Sequence, residues 1–416
     1  MPRIFDVPIY YRSPVISVVK KARQITDPRK RDLSPSVLDF GPVRFKISRH
    51  FGFCYGVENA IEIAYRALED NPEKQIFLLS EMIHNPRVNE DLRRRGIQFL
   101  CDTSGQQLIP FDHLTPDDIV IVPAFGTTLE IQEELAQRGI DPYAFNTTCP
   151  FVEKVWKKSY DIGSLNYTVV VHGKRHHEET RATFSHAKAE APVVIVRDLE
   201  EAKQLARVIR QEASTEYFYE YFADRHSPDF DPDRHLQRVG VVNQTTMLAT
   251  ETQAIAELLR QAMIARYGER DIDEHFADTN DTLCYATKEN QDATVALIED
   301  GGDVAVVVGG YNSSNTSHLV ELCEERMPTY FICDADEMSS AKRIRHLNIH
   351  TRSISVTTDW LPLDSKGGSP IDVVLTAGAS CPDSLLDETL HKIVSWFPTA
   401  RSVDFVMAPF QEKLPA

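Results

Sequence analysis

The chain lacks any apolar run approaching the ~18 residues that a membrane-spanning helix needs. It also lacks a basic balance: 62 Asp and Glu against 45 Lys and Arg leave a formal charge of −17. A large nucleic-acid interface is thereby disfavoured, because phosphate backbones need a basic field. Small anionic substrates stay possible where basic groups are gathered locally. Cysteine is sparse, 7 in 416 residues, an odd number with no short-spaced pair. That argues against a secreted disulfide framework and excludes zinc-finger spacing, so any metal site must be assembled from distant parts of the chain. The N-terminus lacks the continuous apolar core of a secretory signal, since Val15 to Val19 is too short. Residues 1–32 lean basic (Arg3, Arg12, Lys20, Lys21, Arg23, Arg29, Lys30, Arg31), but serines are few and Asp27 and Asp32 interrupt them. The expectation is a cytoplasmic protein, with a transit segment to the plastid stroma as the alternative.

What is present is ordinary for a folded protein: 42% hydrophobic and 26% charged residues, with length for two or three core-bearing units. Short β-branched runs ("QIFLL", "DIVIVPA", "YTVVVHG", "PVVIV", "RVGVVNQ", "DVAVVVGG", "IDVVLTAG") alternate with helical periodicity from residue 43 onward. The helical stretches are Val57 to Asp70, Val152 to Tyr160, Thr250 to Tyr267, Gln291 to Glu299, Ser317 to Glu325 and Pro382 to Phe397. Apolar strands between helices predict mostly parallel sheets in an α/β fold. Residues 211–235 break the alternation and read as an acidic, aromatic surface insertion.

Three cysteines share one local context, a loop just before a helical segment: Cys54 in "FGFCYGVENA", Cys149 in "FNTTCPFVEK" and Cys284 in "NDTLCYATKEN". One cysteine per α/β unit fits this weak repeat, with units at 43–141, 142–247 and 248–397, an N-terminal extension 1–42 and a tail 398–416. Loops at strand ends line the ligand crevice of parallel sheets, so three units facing a common centre would gather three thiolates. Helix N-termini favour the thiolate, the metal-binding form. A lone buried cysteine is usually a small hydrophobe, which is the reading for Cys101, Cys323 and Cys333. Cys381 also precedes a helix and is the rival ligand. Three thiolates suit a [4Fe–4S] cluster with one open iron, four a closed electron-transfer centre.

Two loops have the grammar of anion sites: "VVVGGYNSSNTSHLVEL" with Ser313, Ser314 and Asn315, and "VVLTAGASCPDSLLDETL" with Ser380. Helix capping is the plainer reading of each. Beside them stand His84 in "SEMIHNPRVNEDLRRRG" and the run "HGKRHHEETRAT" with Lys174, His177 and Glu179. His177 and Glu179 share a face only on an extended backbone. Imidazoles and Lys174 can bind phosphate oxygens, whereas a carboxyl placed there makes sense as a proton donor. Thr245 and Thr246 in "NQTTM" add hydroxyls that could orient a proton.

Together these segments resemble the 4-hydroxy-3-methylbut-2-enyl diphosphate (HMBPP) reductases, the last enzymes of the non-mevalonate isoprenoid route, from about Val43 to Phe397. "GFCYGVENAIEIA", "EMIHNPRVNEDLRRRG", "TTCPFVEKV", "HEETRAT", "NQTTM", "CYATKENQDA", "NSSNTSHL" and "TAGASCPD" are similar to that family's motifs, in its order. The resemblance implies three α/β units around a central [4Fe–4S] cluster held by Cys54, Cys149 and Cys284, with Cys381 a bystander. It gives the diphosphate to His84, His177, Ser313, Ser314, Asn315 and Ser380. It makes Glu179 the proton source, Thr246 or Thr245 the group orienting the substrate hydroxyl, and ferredoxin or flavodoxin the electron donor. An iron–sulfur hydro-lyase and a non-catalytic diphosphate sensor are the alternatives. One position departs from the common bacterial pattern, where a histidine precedes glycine: here Phe125 stands in "VPAFGTT". That residue, "HGK" and the insertion resemble the longer plant and cyanobacterial branch, and Lys174 or His172 is expected to supply the missing charge. Residues 1–42 lie outside the resemblance, and deletion of residues 1–35 is expected to leave the cluster and turnover largely intact.

Overall fold

The computed structural model describes residues 5–277, 282–363 and 369–415. The chain forms two compact units: residues 1–58, 84–88 and 285–416 make the first, and residues 59–83 and 89–284 the second.

The first unit is built on a sheet whose central strands, Val43–Ile47, Ile371–Ala377, Val304–Val308 and Thr329–Ile332, run parallel in that order. Val304–Val308 and most of Ile371–Ala377 are buried on both faces, as a near-continuous apolar run requires. Antiparallel strands finish the sheet: Ser36–Asp39 on Val43–Ile47 at one edge, and Arg343–Asn348 on Thr329–Ile332 at the other. The second unit holds two all-parallel sheets. One orders Gln98–Phe99, Ile76–Leu78 and Ile119–Ile121; the other orders Val193–Val196, Thr168–His172, Val239–Asn243 and Phe276–Ala277. Every apolar run read from the sequence is a strand, and the α/β class with mostly parallel sheets holds. The three sheets do not follow the expected cuts at 142 and 248. Val43–Ile47, assigned to the first α/β unit, pairs with Ile371–Ala377 from the third.

The insertion and the N-terminal extension both contribute to cores, and so does the tail. In the insertion, helix Thr215–Tyr221 and the turn Pro232–His235 bury Phe218, Phe222 and Phe230, with Phe218 stacked at 5.1 Å on each of the other two. The acidic residues between them disguised this apolar face. The tail contains helix Val403–Gln411, which buries Val406 and Met407. The N-terminal extension contains helix Pro14–Thr26, begun by proline at its first position and capped by Ser13, whose Oγ accepts the Ile16 N–H at 3.0 Å. This helix packs on Asp383–Val394 and Val403–Gln411 and contributes Val15, Ile16 and Val19 to the core of the first unit.

The extension is therefore not dispensable. Burying a large apolar side chain contributes roughly 1.5–3 kcal/mol, against about 5–15 kcal/mol of net stability for a whole domain. Phe5, Val7, Tyr11, Val15, Ile16 and Val19 are all buried. Removal of residues 1–35 should abolish soluble, folded protein or lower its unfolding temperature steeply. Soluble yield and a thermal melt check this; a truncated protein melting with the full chain would show that the burial contributes little.

Among the described residues no helix is long and apolar enough to cross a membrane.

Candidate active site

All three singled-out cysteines stand immediately before a helix: Cys54 before Tyr55–Asp70, Cys149 as N-cap of Pro150–Ser164, and Cys284 before Tyr285–Glu299. The periodic stretches placed these helices two to six residues late, the largest shift falling on Tyr285–Glu299, whose early turns are mostly polar. In Tyr285–Glu299 the early buried positions are Thr287 and Asn290. Backbone bonds fix two of the cysteines: Cys54 N–H donates to Ala379 O at 3.1 Å, and Cys149 N–H to Ala124 O at 3.0 Å. Cys54 belongs to the first unit, Cys149 and Cys284 to the second. Among the described residues no group of three or more His, Cys, Asp and Glu is gathered as for a metal ion.

The other four cysteines sit where thiolate is costly. Burial pushes the Cys323 and Cys333 thiols up to about 12, and raises Cys101 and the fully buried Cys381 as well. The rival ligand Cys381 lies in the apolar core of the first unit, its Sγ 3.6 Å from Pro382 O.

In the second unit His177 is the N-cap of helix Glu178–Lys188, on extended backbone. Its Nδ1 accepts the Glu179 N–H at 3.2 Å, which answers how residues two apart can cooperate. With Nδ1 accepting, the neutral ring carries its proton on Nε2. Glu179 is 1% exposed. Thr245 holds both of its carboxylate oxygens, Oε1 from the backbone N–H and Oε2 from the hydroxyl at 3.0 Å. Thr246 does something else, accepting from Gln244 Nε2 at 2.6 Å. Glu178 is bonded to Ser80, both buried.

Gln244 escaped the sequence reading although it lies inside "NQTTM". Fully buried, it accepts at Oε1 from the Lys174 N–H at 3.1 Å and the Thr180 hydroxyl at 3.0 Å, tying the Lys174 turn to the threonines. Phe125 stands edge-on to His177, ring centroids 5.6 Å apart. Of the two residues expected to compensate for it, His172 is wholly buried with Nδ1 2.9 Å from Thr252 Oγ1, whereas Lys174 is part-exposed.

In the first unit the anion loops are laced together. Ser313 caps helix Ser314–Glu324, accepting the Thr316 N–H at 3.2 Å, so the plain capping reading is right for this residue. Asn315 Oδ1 accepts the Ala379 N–H at 2.8 Å, while its buried Nδ2 has no hydrogen-bond partner among the described residues. A buried N–H donor left over is costly, and an anion bound at this loop would satisfy it. Ser380 Oγ donates to His84 O at 3.1 Å. A Cβ on Gly310 would come 2.3 Å from that same His84 oxygen, so only glycine lets the loop approach. His84, Ser313, Ser314, Asn315 and Ser380 are thus brought together, in the unit that also holds Cys54.

The family described as LytB protein matches residues 45–394 of this chain. A 4-hydroxy-3-methylbut-2-enyl diphosphate reductase of Thermosynechococcus vestitus is 41% identical over 354 residues, 85% of each chain. One of Prochlorococcus marinus is 37% identical over 394 residues, 93% of this chain and 94% of that one. Among solved structures, the E-1-hydroxy-2-methyl-but-2-enyl-4-diphosphate reductase from Plasmodium falciparum shares the fold with a TM-score of 0.61 at 19% identity, covering 85% of this chain and 89% of that one. The run of motifs and a match spanning most of the chain agree, and the chain belongs to the LytB family, the family of the HMBPP reductases.

Proposed function

We propose that this protein reduces HMBPP to isopentenyl and dimethylallyl diphosphates, the last step of the non-mevalonate isoprenoid pathway. The observation that carries the reading is the buried Glu179 carboxylate, oriented from both oxygens by Thr245 and set in the first turn of a helix whose N-cap is His177. An acid so placed is of use where a proton must be delivered to one atom.

The donor set fits a [4Fe–4S] cluster. Cys54, Cys149 and Cys284 stand at helix N-termini, where the dipole favours thiolate, and the four remaining thiols are held protonated by burial. Those three would hold the cluster, which when bound supplies electrons singly and one open Lewis-acidic iron. His84, Ser313, Ser314, Asn315 and Ser380 take the diphosphate through hydroxyls, backbone N–H groups and the spare Asn315 Nδ2. By the resemblance His177 joins them, through Nε2–H, and Lys174 is our candidate for the charge that the Phe125 ring does not supply. Thr245 orients Glu179, and Thr246 is left to the substrate hydroxyl. Glu179 protonates the departing oxygen. In balance, the C–O bond breaks, the oxygen leaves as water, and two electrons and two protons are consumed. The second proton adds at either end of the allyl unit, which accounts for two products. A small protein of the ferredoxin or flavodoxin type supplies the electrons, in a reducing compartment such as the cytosol.

The test is anaerobic turnover of HMBPP by cluster-loaded protein with reduced methyl viologen. Both diphosphate products should appear, and only with reductant. Product without reductant would instead mark a hydro-lyase, and tight binding without product a sensor.

A further inference from the structure

Charge is unevenly placed along the chain. Residues 1–32 carry eight Lys and Arg against three Asp and no Glu, in a protein of net −17. Part of this positive charge is spent internally. Lys20 Nζ lies 2.7 Å from Asp383 and 4.4 Å over the Phe51 ring, and Arg23 pairs with Asp32 at 3.2 Å. Asp27 accepts the N–H groups of Arg31 and Asp32 at 3.1 and 3.0 Å, folding the segment into a turn. Lys30 then reaches Glu289 on helix Tyr285–Glu299 at 2.9 Å.

The turn leaves an opening of about 340 Å³ in the first unit, bordered by Lys20, Lys30 and Arg49 and reaching Cys54. Tyr55 and Tyr285 also line it and are 38% and 44% exposed. Lys21, Arg29 and Arg31 flank the bordering lysines in sequence. They are exposed, and among the described residues no ion pair of theirs is formed. The basic segment thus carries exposed cations that form no ion pair among the described residues, next in sequence to groups of an opening that Cys54 helps to line, together with Asp27 and Glu289.

We propose that Lys21, Arg29 and Arg31, next in sequence to Lys20, Pro28 and Lys30 of this opening, form the docking surface for a small acidic one-electron carrier protein. This rests on the reading of Cys54 as a cluster ligand. The occupant follows from charge: the remainder of the chain is more acidic than the whole and on balance repels an acidic partner, whereas this basic segment attracts one and turns it towards the opening that Cys54 lines. A carrier that must leave after each electron needs a small polar interface of this kind rather than an apolar one. The opening is too small for a protein to enter, so the carrier rests on its rim, against Tyr55 and Tyr285.

The test uses full-length, cluster-loaded enzyme carrying Lys21→Glu, Arg29→Glu and Arg31→Glu together. With reduced plant-type ferredoxin as donor, kcat/KM should fall at least ~10-fold at low ionic strength, the low end for losing electrostatic steering. The salt dependence of the parent should flatten, and calorimetric affinity for oxidised ferredoxin should fall in parallel. Turnover with reduced methyl viologen, which needs no docking face, should be unchanged. Unaltered ferredoxin kinetics and affinity would overturn the proposal, as would an equal loss with both donors. A parent enzyme inactive with viologen would sink the functional reading instead, while the ferredoxin affinities would still decide the docking face.

Discussion

Glu179→Gln should leave the protein folded, iron-loaded and able to bind HMBPP, yet lower its turnover by at least ~10²-fold, the low end for losing a positioned general acid. The amide keeps the size of the side chain: its oxygen can still accept the Thr245 N–H, while its NH2 group can donate to the Thr245 hydroxyl in place of the bond the carboxylate now accepts. It cannot give up a proton. Thr245→Val separates orientation from acidity: the acid remains but loses its hydroxyl partner, so the drop should be smaller and appear in kcat more than in KM. Single-turnover product analysis with a spectroscopic iron assay reads both variants. Near-normal turnover in Glu179→Gln would move the proton source elsewhere, with Glu178 next in line, although Ser80 already engages that carboxyl.

Replacement of Cys54, Cys149 or Cys284 by Ala should each prevent a stable brown cluster and abolish HMBPP turnover. The same change at Cys101, Cys323, Cys333 or Cys381 should leave most of the iron in place. The contrast has a physical origin. The first three stand at helix N-termini, where a thiolate is favoured, and the others lie in surroundings that hold the thiol protonated. Cys381→Ala is the sharpest control, because that residue also lies near a helix start, one position after Ser380. Iron content after anaerobic reconstitution decides it. Normal iron in Cys149→Ala, or its loss in Cys381→Ala, is incompatible with the proposed ligand set.

The strands were legible because parallel strands buried on both faces must be continuous apolar runs, as Val304–Val308 and Thr168–His172 are. Helix starts were less so: one turn is too short to show a period, and the cysteines stand just before such turns and Glu179 within one. The buried aromatics Phe218, Phe222 and Phe230 were read as surface because a short helix and a tight turn give too few residues for any period to show. Helix Pro14–Thr26 had its signals, Ser13 at the cap and proline after it, but basic charge drew the eye to targeting instead. The site was read as residue types in order. Pairings such as Thr245 with Glu179, or Ser380 with the His84 carbonyl, depend on residues 66 and 296 positions apart and no local rule supplies them.

The pairing of Val43–Ile47 with Ile371–Ala377 also sets an order of events during synthesis. Domains fold largely as units as they leave the ribosome. The second unit is complete once residue 284 has emerged, whereas in the first the inner edge of Val43–Ile47, already paired with Ser36–Asp39 on its other side, stays open until residue 377 is made. The Cys54 loop, fastened through Ala379, is among the last parts of the molecule to take shape although it is among the first to be translated. Cys149 and Cys284 are in place earlier, so any metal centre that requires Cys54 as well can close only after nearly the whole polypeptide exists.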